Sequence, residues 1–177
     1  MPVNIEIKAR SNRIPEIRNW LQQQGARFAG TDTQTDTYFR VPSGRLKLRQ
    51  GTVENNLIGY QRPDTAGQRR SDFWICKAED PAALRTVLAN SLGILVEVVK
   101  SREIYYIRNV KFHLDTVNQL GSFVEIEAGN LLEDLPVEKL EEQCAYYCKV
   151  FEIGEADYQN GSYSDMLLAL ADDHRSE

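Results

Sequence analysis

Residues 45–49 read Arg-Leu-Lys-Leu-Arg, and residues 123–127 read Phe-Val-Glu-Ile-Glu. Side chains two residues apart in a β-strand point to the same face of the sheet. The first stretch therefore places three cations on one face, and the second places two glutamates on one face. Neighbouring like charges destabilise a sheet unless charges of the opposite sign lie close to them. The two stretches predict a polyanion bound by the cations and a divalent metal bound by the glutamates.

Three further strands show the same alternation of charged and aliphatic residues. A half-exposed antiparallel sheet, with its polar face in water, explains any one such strand. Five strands together favour a shared charged interior, because solvated faces usually mix signs and neutral polar residues. The residues that share the charged faces of these three strands are Asn4, Glu6, Lys8 and Arg10; Lys100 and Arg102; and Lys111, His113 and Asp115.

Helical and strand periodicities together predict the fold. Apolar spacing predicts four helices, at residues 13–24, 81–92 and 136–149 and from Ser164 onward. Period-two alternation predicts eight strands, at residues 3–10, 34–41, 45–50, 56–62, 71–77, 94–106, 110–117 and 122–128. Most connecting turns are too short for a helical crossover, so the strands should pair antiparallel. The helices need the aliphatic strand faces for packing, which leaves the charged faces inside. We therefore predict an α+β fold, an eight-stranded antiparallel β tunnel (a closed or nearly closed barrel) with helices packed outside.

The composition predicts a single domain over residues 1–177 and argues against several classes of function. Hydrophobic residues make up 42% and charged residues 27% of the chain, within the range of a folded domain. The net charge of −5, and the lack of aromatics among the basic residues, argue against a nucleic-acid partner. No apolar run is long enough for a membrane span, and the N-terminus lacks a signal-peptide pattern. Three cysteines are too few for a disulfide framework, so a cytoplasmic protein is expected.

A weak internal repeat suggests a duplicated plan. A helix, a glycine (Gly25), a strand, a turn and two further strands follow one another in the first half. The same order recurs after Asp80, with Gly93 in the glycine position. Few residues are identical between the halves, so the order of the elements carries the suggestion.

Seven segments of the chain carry a resemblance to a known family. They are 4–8 (Asn-Ile-Glu-Ile-Lys), 36–39 (Asp-Thr-Tyr-Phe), 44–49 (Gly-Arg-Leu-Lys-Leu-Arg), 60–63 (Tyr-Gln-Arg-Pro), 99–102 (Val-Lys-Ser-Arg), 114–127 (beginning Leu-Asp-Thr-Val and ending Phe-Val-Glu-Ile-Glu) and 162–168 (Ser-Tyr-Ser-Asp-Met-Leu-Leu). In this order they resemble the CYTH family of triphosphate tunnel enzymes, which includes class IV adenylyl cyclases and thiamine or inorganic triphosphatases. The resemblance spans nearly the whole chain.

The resemblance implies a tunnel in which cations hold a triphosphate and carboxylates hold Mg²⁺ or Mn²⁺. In such a tunnel the protein contributes mainly by positioning the substrate and neutralising its charge, on which phosphoryl transfer chiefly depends. The implied phosphate contacts are Lys8, Arg10, Lys47, Arg49, Arg62, Lys100 and Arg102. The implied metal ligands are Glu6, Asp115, Glu125 and Glu127, and the implied catalytic residues are Glu6, Lys8 and Glu127.

The second-half motif most resembles the class IV adenylyl cyclase branch, which implies conversion of ATP to cyclic AMP and pyrophosphate. The alternative enzyme is a triphosphatase acting on thiamine triphosphate or inorganic triphosphate. A third hypothesis, a non-catalytic binder of nucleotide or polyphosphate, comes from Asn4, which stands where the family's opening motif has a glutamate. An amide can ligate a metal, but it carries no charge and cannot act as a base. The oligomeric state stays open, a homodimer included.

Three other positions leave alternatives open. His113 could act as an acid or base, or could be a neutral, hydrogen-bonded residue of the wall. Tyr38 could stack on a base, orient a phosphate or pack in the core. Cys144 and Cys148 lie one helical turn apart, and without a further ligand nearby they are predicted to be core residues.

Overall fold

A computed structural model of the protein describes residues 3–61, 69–131, 134–159 and 161–173. Within these residues it contains eight strands, four α-helices and one short 3₁₀-helix, Glu155–Asp157. The strands are β1 (Asn4–Arg10), β2 (Arg27–Phe39), β3 (Arg45–Gln50), β4 (Asn56–Gln61), β5 (Arg69–Lys77), β6 (Ile94–Ile107), β7 (Val110–Val117) and β8 (Gly121–Gly129). The helices are α1 (Ile14–Gln23), α2 (Pro81–Leu92), α3 (Val137–Val150) and α4 (Tyr163–Asp173). None of the helices in the described part of the chain has the length and hydropathy needed to span a bilayer.

The eight strands form a closed barrel in the order β1-β5-β4-β3-β2-β6-β7-β8. Every neighbouring pair is antiparallel. Strand β1 closes the ring, because it pairs with β8 along its whole length and with β5 over Asn4, Ile5 and Glu6. The α+β fold predicted from the alternating charges is confirmed: a β tunnel with helices outside it.

The strand pairing relates two units of the chain that have the same order of elements. The unit β1-α1-β2-β3-β4 has the same order of elements as β5-α2-β6-β7-β8. Equivalent strands of the two units pair with each other, β1 with β5 and β2 with β6. The last strand of each unit also pairs with the first strand of the other unit, β4 with β5 and β8 with β1. The repeat suggested by the sequence therefore matches the topology, and the structural unit also includes the strand that precedes each helix.

The second strand begins seven residues earlier than predicted, at Arg27 instead of residue 34. Polar residues such as Thr31 and Thr33 and a bulge between Phe28 and Gly30 interrupt the alternation there. Pairing with the long strand β6 keeps this segment extended. The pairing begins where Arg27 lies opposite Tyr106. The remaining boundaries lie within about two residues of the predicted ones, apart from residues 62–68, which fall outside the described residues.

Most of the hydrophobic core lies outside the barrel, between its outer surface and the helices. A further buried cluster lies against α4, where Tyr163 packs with the inward-facing Tyr38 and Tyr60. Helices α1 and α3 cover β1, β7 and β8, and α2 covers β2 and β3. Phe112 of β7 is fully buried, with ring centroids 4.7 Å from Tyr147 and 5.8 Å from Phe151 of the α3 side. The aliphatic strand faces thus point outward to helices, and the charged faces point inward.

We predict that Phe112→Ala lowers the free energy of unfolding by about 3–5 kcal/mol, because it removes a fully buried ring from this outer core. Urea denaturation measures the loss. Phe28→Ala on β2 is the control, since that ring is 53% exposed; it should cost less than about 1 kcal/mol. Equal losses in the two variants would show that the wall and helices do not enclose the main core.

Candidate active site

The barrel encloses a cavity of about 180 Å³. Among the residues that the structure describes, six cationic and five carboxylate side chains line it, together with uncharged groups. The cations are Lys8, Lys47, Arg49, Lys100, Arg102 and Lys111, and the carboxylates are Glu6, Asp36, Glu54, Glu125 and Glu127. They come from β1, β2, β3, β6, β7, β8 and the loop between β3 and β4. The inward faces predicted from alternation therefore meet in one enclosed space.

Most residues expected to contact phosphate line this cavity. Lys8, Lys47, Arg49, Lys100 and Arg102 all do so, and each of them is at least three-quarters buried. Their roles toward a ligand remain predictions. Arg62 lies outside the described residues.

Arg10 shares the face of Lys8 but does not line the cavity. Its guanidinium donates a 2.6 Å hydrogen bond to the Leu120 carbonyl and lies 4.8 Å from the centroid of the Phe123 ring. The side chain is exposed at the end of β1. Alternation predicts the face of Arg10 correctly. However, Arg10 is the last residue of β1, and its side chain lies beyond the cavity.

Asp115, expected to bind metal, is held by Arg102 and Tyr163, and its role toward a metal stays a prediction. Arg102 donates to both of its oxygens, at 2.7 and 2.6 Å, and the Tyr163 hydroxyl donates at 2.7 Å. Burial alone would raise the pKa of Asp115, but the Arg102 charge and its hydrogen bonds lower it. The carboxylate lies behind the cavity wall and orients the Arg102 guanidinium.

Asp36 of β2 gathers three cations from the neighbouring strands. Its carboxylate accepts hydrogen bonds from Lys47 at 3.0 Å, Arg49 at 2.9 and 3.0 Å and Lys100 at 2.9 Å. The side chain is almost fully buried. Burial favours the neutral acid, but the charges of Arg49, Lys100 and Lys47 together hold the pKa of Asp36 well below its ordinary value. Asp36 belongs to the 36–39 motif, which by itself gives this residue no role. Its alternation with Gln34 and Tyr38 is the signal that places it inside the barrel.

Asp32 lies on β2 four residues before Asp36. It fixes the loop that carries Glu54. Its oxygens accept the backbone N–H groups of Val53 and Glu54, both at 2.9 Å, and the Thr52 hydroxyl at 3.1 Å. Gly51 passes so close to this carboxylate that a Cβ would collide with it. These contacts direct Glu54 into the cavity, although nothing in the sequence marks this loop residue.

Glu54 in turn pairs with cations from two sides of the barrel. It accepts from Arg49 Nη1 and from Lys111 Nζ, both at 2.9 Å. Burial would raise the pKa of Glu54, but the Lys111 and Arg49 charges outweigh it and hold the pKa well below its ordinary range.

Glu125, Glu127 and His113 form the cluster suited to a metal ion, with ligand atoms within 4.8 Å of one another. Register places Glu127 opposite Glu6 and Glu125 opposite Lys8. Burial, together with the nearby charges of Glu125 and Glu6, raises the pKa of Glu127 to about 7 despite the opposing effect of Lys111. Carboxylates crowded in this way are relieved by a divalent cation, and their hard oxygens suit Mg²⁺ or Mn²⁺.

His113 is buried and neutral. Burial, reinforced by the Arg102 and Lys111 charges, lowers the pKa of its imidazole to about 3. Nδ1 lies 3.5 Å from Glu125 Oε2 and 3.8 Å from Glu127 Oε1. Among the described residues, neither ring nitrogen has a hydrogen-bond partner. The neutral form matches one sequence-based expectation, but the expected hydrogen bond is not formed.

Asn4 also lines the cavity, and Tyr163 of α4 completes the wall. The Asn4 amide packs against Gly129, which has no Cβ to displace it. The Tyr163 ring lies beneath the Lys8 ammonium, 4.1 Å from nitrogen to centroid.

Arg45 lies on the same face of β3 as Lys47 but contacts α4. It donates hydrogen bonds to Asp165 and Ser162 and so fastens α4 to the barrel.

The fold and cavity define a tunnel protein with a cation-lined and carboxylate-lined interior. The family model for the CYTH domain matches residues 3–147. The chain therefore belongs to the CYTH family. No curated protein matches its sequence.

Solved structures share the whole fold at low sequence identity. A Pyrococcus horikoshii protein superposes with a TM-score of 0.76 at 23% identity, covering 92% of this chain and 98% of that one. A candidate adenylate cyclase of Vibrio parahaemolyticus gives 0.74 at 18% identity, with 93% and 97% covered. A candidate adenylyl cyclase of Hippeastrum, which shows a dominant triphosphatase activity, gives 0.63 at 13% identity, with 95% and 94% covered. At these identities the likeness establishes the fold.

We predict that Asp36→Asn lowers the free energy of unfolding by about 3–5 kcal/mol, because three buried cations lose their shared anion. Chemical denaturation measures the change. Glu97→Gln is the matched control: it also removes a carboxylate paired with an arginine, Arg85, but at the surface, and should cost less than about 1 kcal/mol. A similar small loss in both variants would contradict the organising role of Asp36.

A pH dependence follows from Lys100. Burial, with the charges of Arg49, Arg102 and Lys47, lowers the pKa of Lys100 to about 7 although Asp36 acts in the opposite direction. Above pH 7 the unfolded chain therefore holds a proton that the folded chain has released, so this residue makes stability rise with pH up to its unfolded pKa of about 10.4.

We predict that the free energy of unfolding of the wild type rises relative to that of Lys100→Met between pH 7 and 8.5. The slope should approach about 1.4 kcal/mol per pH unit at the upper end. Urea titrations of both proteins at several pH values give this difference. A difference that stays constant with pH would mean that Lys100 keeps its proton in the folded chain.

Proposed function

We propose that the protein is a metal-dependent enzyme that binds a triphosphate inside the tunnel and cleaves one of its phosphoanhydride bonds. The observation that carries the proposal is the convergence of six cations and five carboxylates on one enclosed cavity. When all are ionised, the cavity-lining groups that the structure describes leave a single net positive charge. A divalent cation beside the phosphates would add the positive charge that phosphoryl transfer requires.

The cations are suited to hold phosphate oxygens. Arg49 and Arg102 supply guanidinium groups whose Nε and Nη2 already bond the Asp36 and Asp115 carboxylates, so a phosphate has to bind beside these carboxylates or in their place. Lys8, Lys47 and Lys100 supply compact charges. All five are held by carboxylates from the barrel wall, so their positions are set before a ligand binds. Positive charge that is positioned before the reaction is what a developing phosphoryl transition state requires.

Glu6, Glu125 and Glu127 would hold Mg²⁺ or Mn²⁺, which supplies positive charge to the phosphates when it is bound. The three carboxylates come from adjacent strands, with Glu6 opposite Glu127 in register. Asn4 adds an amide oxygen on the same wall but no charge. This set supports one strongly held ion and gives little basis for a second.

ATP cyclisation is the first candidate reaction. In it the ribose 3′-hydroxyl attacks the α-phosphorus and pyrophosphate leaves. Besides the motif resemblance, an apolar part of the wall supports an organic triphosphate. Ile58, Tyr60, Phe73 and Ile75 from β4 and β5 line the cavity beside the cations and offer contact to a base or another ring.

Hydrolysis of thiamine triphosphate or inorganic triphosphate is the second candidate, in which water attacks the terminal phosphorus. It uses the same cations and the same metal site. The Hippeastrum relative, with its dominant triphosphatase activity, supports the view that this fold accommodates hydrolysis.

An assay with three substrates tests the proposal. The protein is incubated with ATP, thiamine triphosphate and inorganic triphosphate, each with Mg²⁺ and with Mn²⁺. Cyclic AMP with pyrophosphate identifies a cyclase, and orthophosphate identifies a triphosphatase. Binding of these compounds without turnover would overturn the enzymatic proposal and favour a nucleotide or polyphosphate binder, the role suggested by Asn4.

We predict that Glu127→Gln reduces metal-dependent turnover about 100-fold or more, because it removes a charge from the metal site. The fold should remain intact, since the pKa of about 7 means that the neutral acid, which Gln resembles, is already well populated at neutral pH. Initial rates and thermal unfolding measure the two effects. Glu97→Gln, outside the barrel, serves as the activity control, and unchanged kinetics for Glu127→Gln would remove Glu127 from the site.

A further inference from the structure

The wall of the metal cluster includes one side chain that the expected carboxylate set does not use. His113 of β7 is 1% exposed, lines the cavity and lies opposite Glu125 in register. Within the described residues both of its ring nitrogens lack a hydrogen-bond partner. A buried polar group left unpaired is destabilising, so such a group needs an explanation.

The distances around His113 are longer than the distance of about 2.7–3.2 Å in an ordinary N–H···O hydrogen bond, and they suit a shared ion. Nδ1 lies 3.5 Å from Glu125 Oε2 and 3.8 Å from Glu127 Oε1. Adjacent ligand atoms bound about 2.1 Å from an octahedral ion, the geometry usual for Mn²⁺, lie about 3.0 Å from one another. A small shift of three side chains would therefore place one ion in contact with all three.

Neighbouring cations already have other partners. Lys111 donates to Glu54 at 2.9 Å, and Arg102 donates to both oxygens of Asp115. Arg102 also reaches Glu125 Oε2 at 3.0 Å, so this carboxylate is fixed in place while its second oxygen faces Lys8 at 3.7 Å. In the described part of the chain, none of these cations contacts an imidazole nitrogen within hydrogen-bond distance.

We propose that His113 Nδ1 is a protein ligand of the metal ion beside Glu125 and Glu127, which makes this a mixed nitrogen and oxygen site. Mg²⁺ favours oxygen ligands alone, whereas imidazole suits transition metals. The site therefore prefers Mn²⁺ or Co²⁺ to Mg²⁺. This inference rests on the metal site of the proposed function and adds a ligand and a metal preference to it.

Pulsed electron paramagnetic resonance of the Mn²⁺-loaded wild type tests the ligand directly, without substrate or turnover. The spectrum should show coupling of the manganese to a directly bound ¹⁴N nucleus. The chain has only two histidines, so His174→Gln is the matched control and should retain the coupling. Absence of ¹⁴N coupling in the wild type, or its loss in His174→Gln, would overturn the proposal.

Metal affinities of His113→Phe provide the second test. Calorimetric titration should show Mn²⁺ and Co²⁺ affinities reduced 10-fold to 100-fold and Mg²⁺ affinity reduced less than about threefold. His113→Gln, which keeps polarity but lacks the imidazole, is the replacement if the Phe variant does not fold. Equal losses for Mg²⁺ and Mn²⁺, or unchanged affinities, would contradict nitrogen ligation. Because neither measurement needs a triphosphate, a protein that binds metal through His113 but cleaves nothing would refute the proposed function alone.

Discussion

Mutual repulsion among cations inside a closed barrel is the constraint on which the structure depends. Lys47, Arg49 and Lys100 meet within hydrogen-bond distance of one carboxylate, that of Asp36. Without that anion, three positive charges would face one another in a space with little water to screen them. Asp115 does the same for Arg102. The protein therefore holds its cations in fixed positions with buried carboxylates, and an incoming polyanion has to compete with those carboxylates for the same hydrogen bonds.

Helices α1, α2 and α3 stabilise this barrel because they cover the outer faces of the strands that they contact. Ile5 and Ile7 of β1 alternate with Glu6 and Lys8, and the isoleucines are buried in the cluster that includes α1 and α3. Burial of the outer faces supplies the hydrophobic free energy of folding, so the inner faces are free to carry charge. The core and the candidate site therefore occupy opposite faces of the same strands, and the alternation of one strand specifies both.

Alternation predicts the face of a side chain, but neither its depth in the barrel nor its partners across strands. For this reason the fold and the inward direction of Lys47, Arg49 and Glu125 could be read from the sequence, whereas Arg10, at a strand end, lies beyond the cavity. The role of Asp36 depends on β3 and β6 flanking β2, a long-range pairing that spacing does not reveal. Glu54 lies in a loop, where no periodicity applies, and reaches the cavity only through the contacts of Asp32.

The order of strands around the ring divides the cavity wall by chemistry. Adjacent strands β7, β8 and β1 carry His113, Glu125, Glu127 and Glu6, and the adjacent strands β3, β2 and β6 carry the cations gathered by Asp36. Strands β4 and β5, between these two sectors, contribute apolar side chains such as Ile58. A metal-bound triphosphate has corresponding parts: an ion, an anionic chain and, in a nucleotide, a ring. Under the proposed function, matching each part to its sector would allow one orientation better than the reverse. The same electrostatics would then select which phosphorus lies beside the metal.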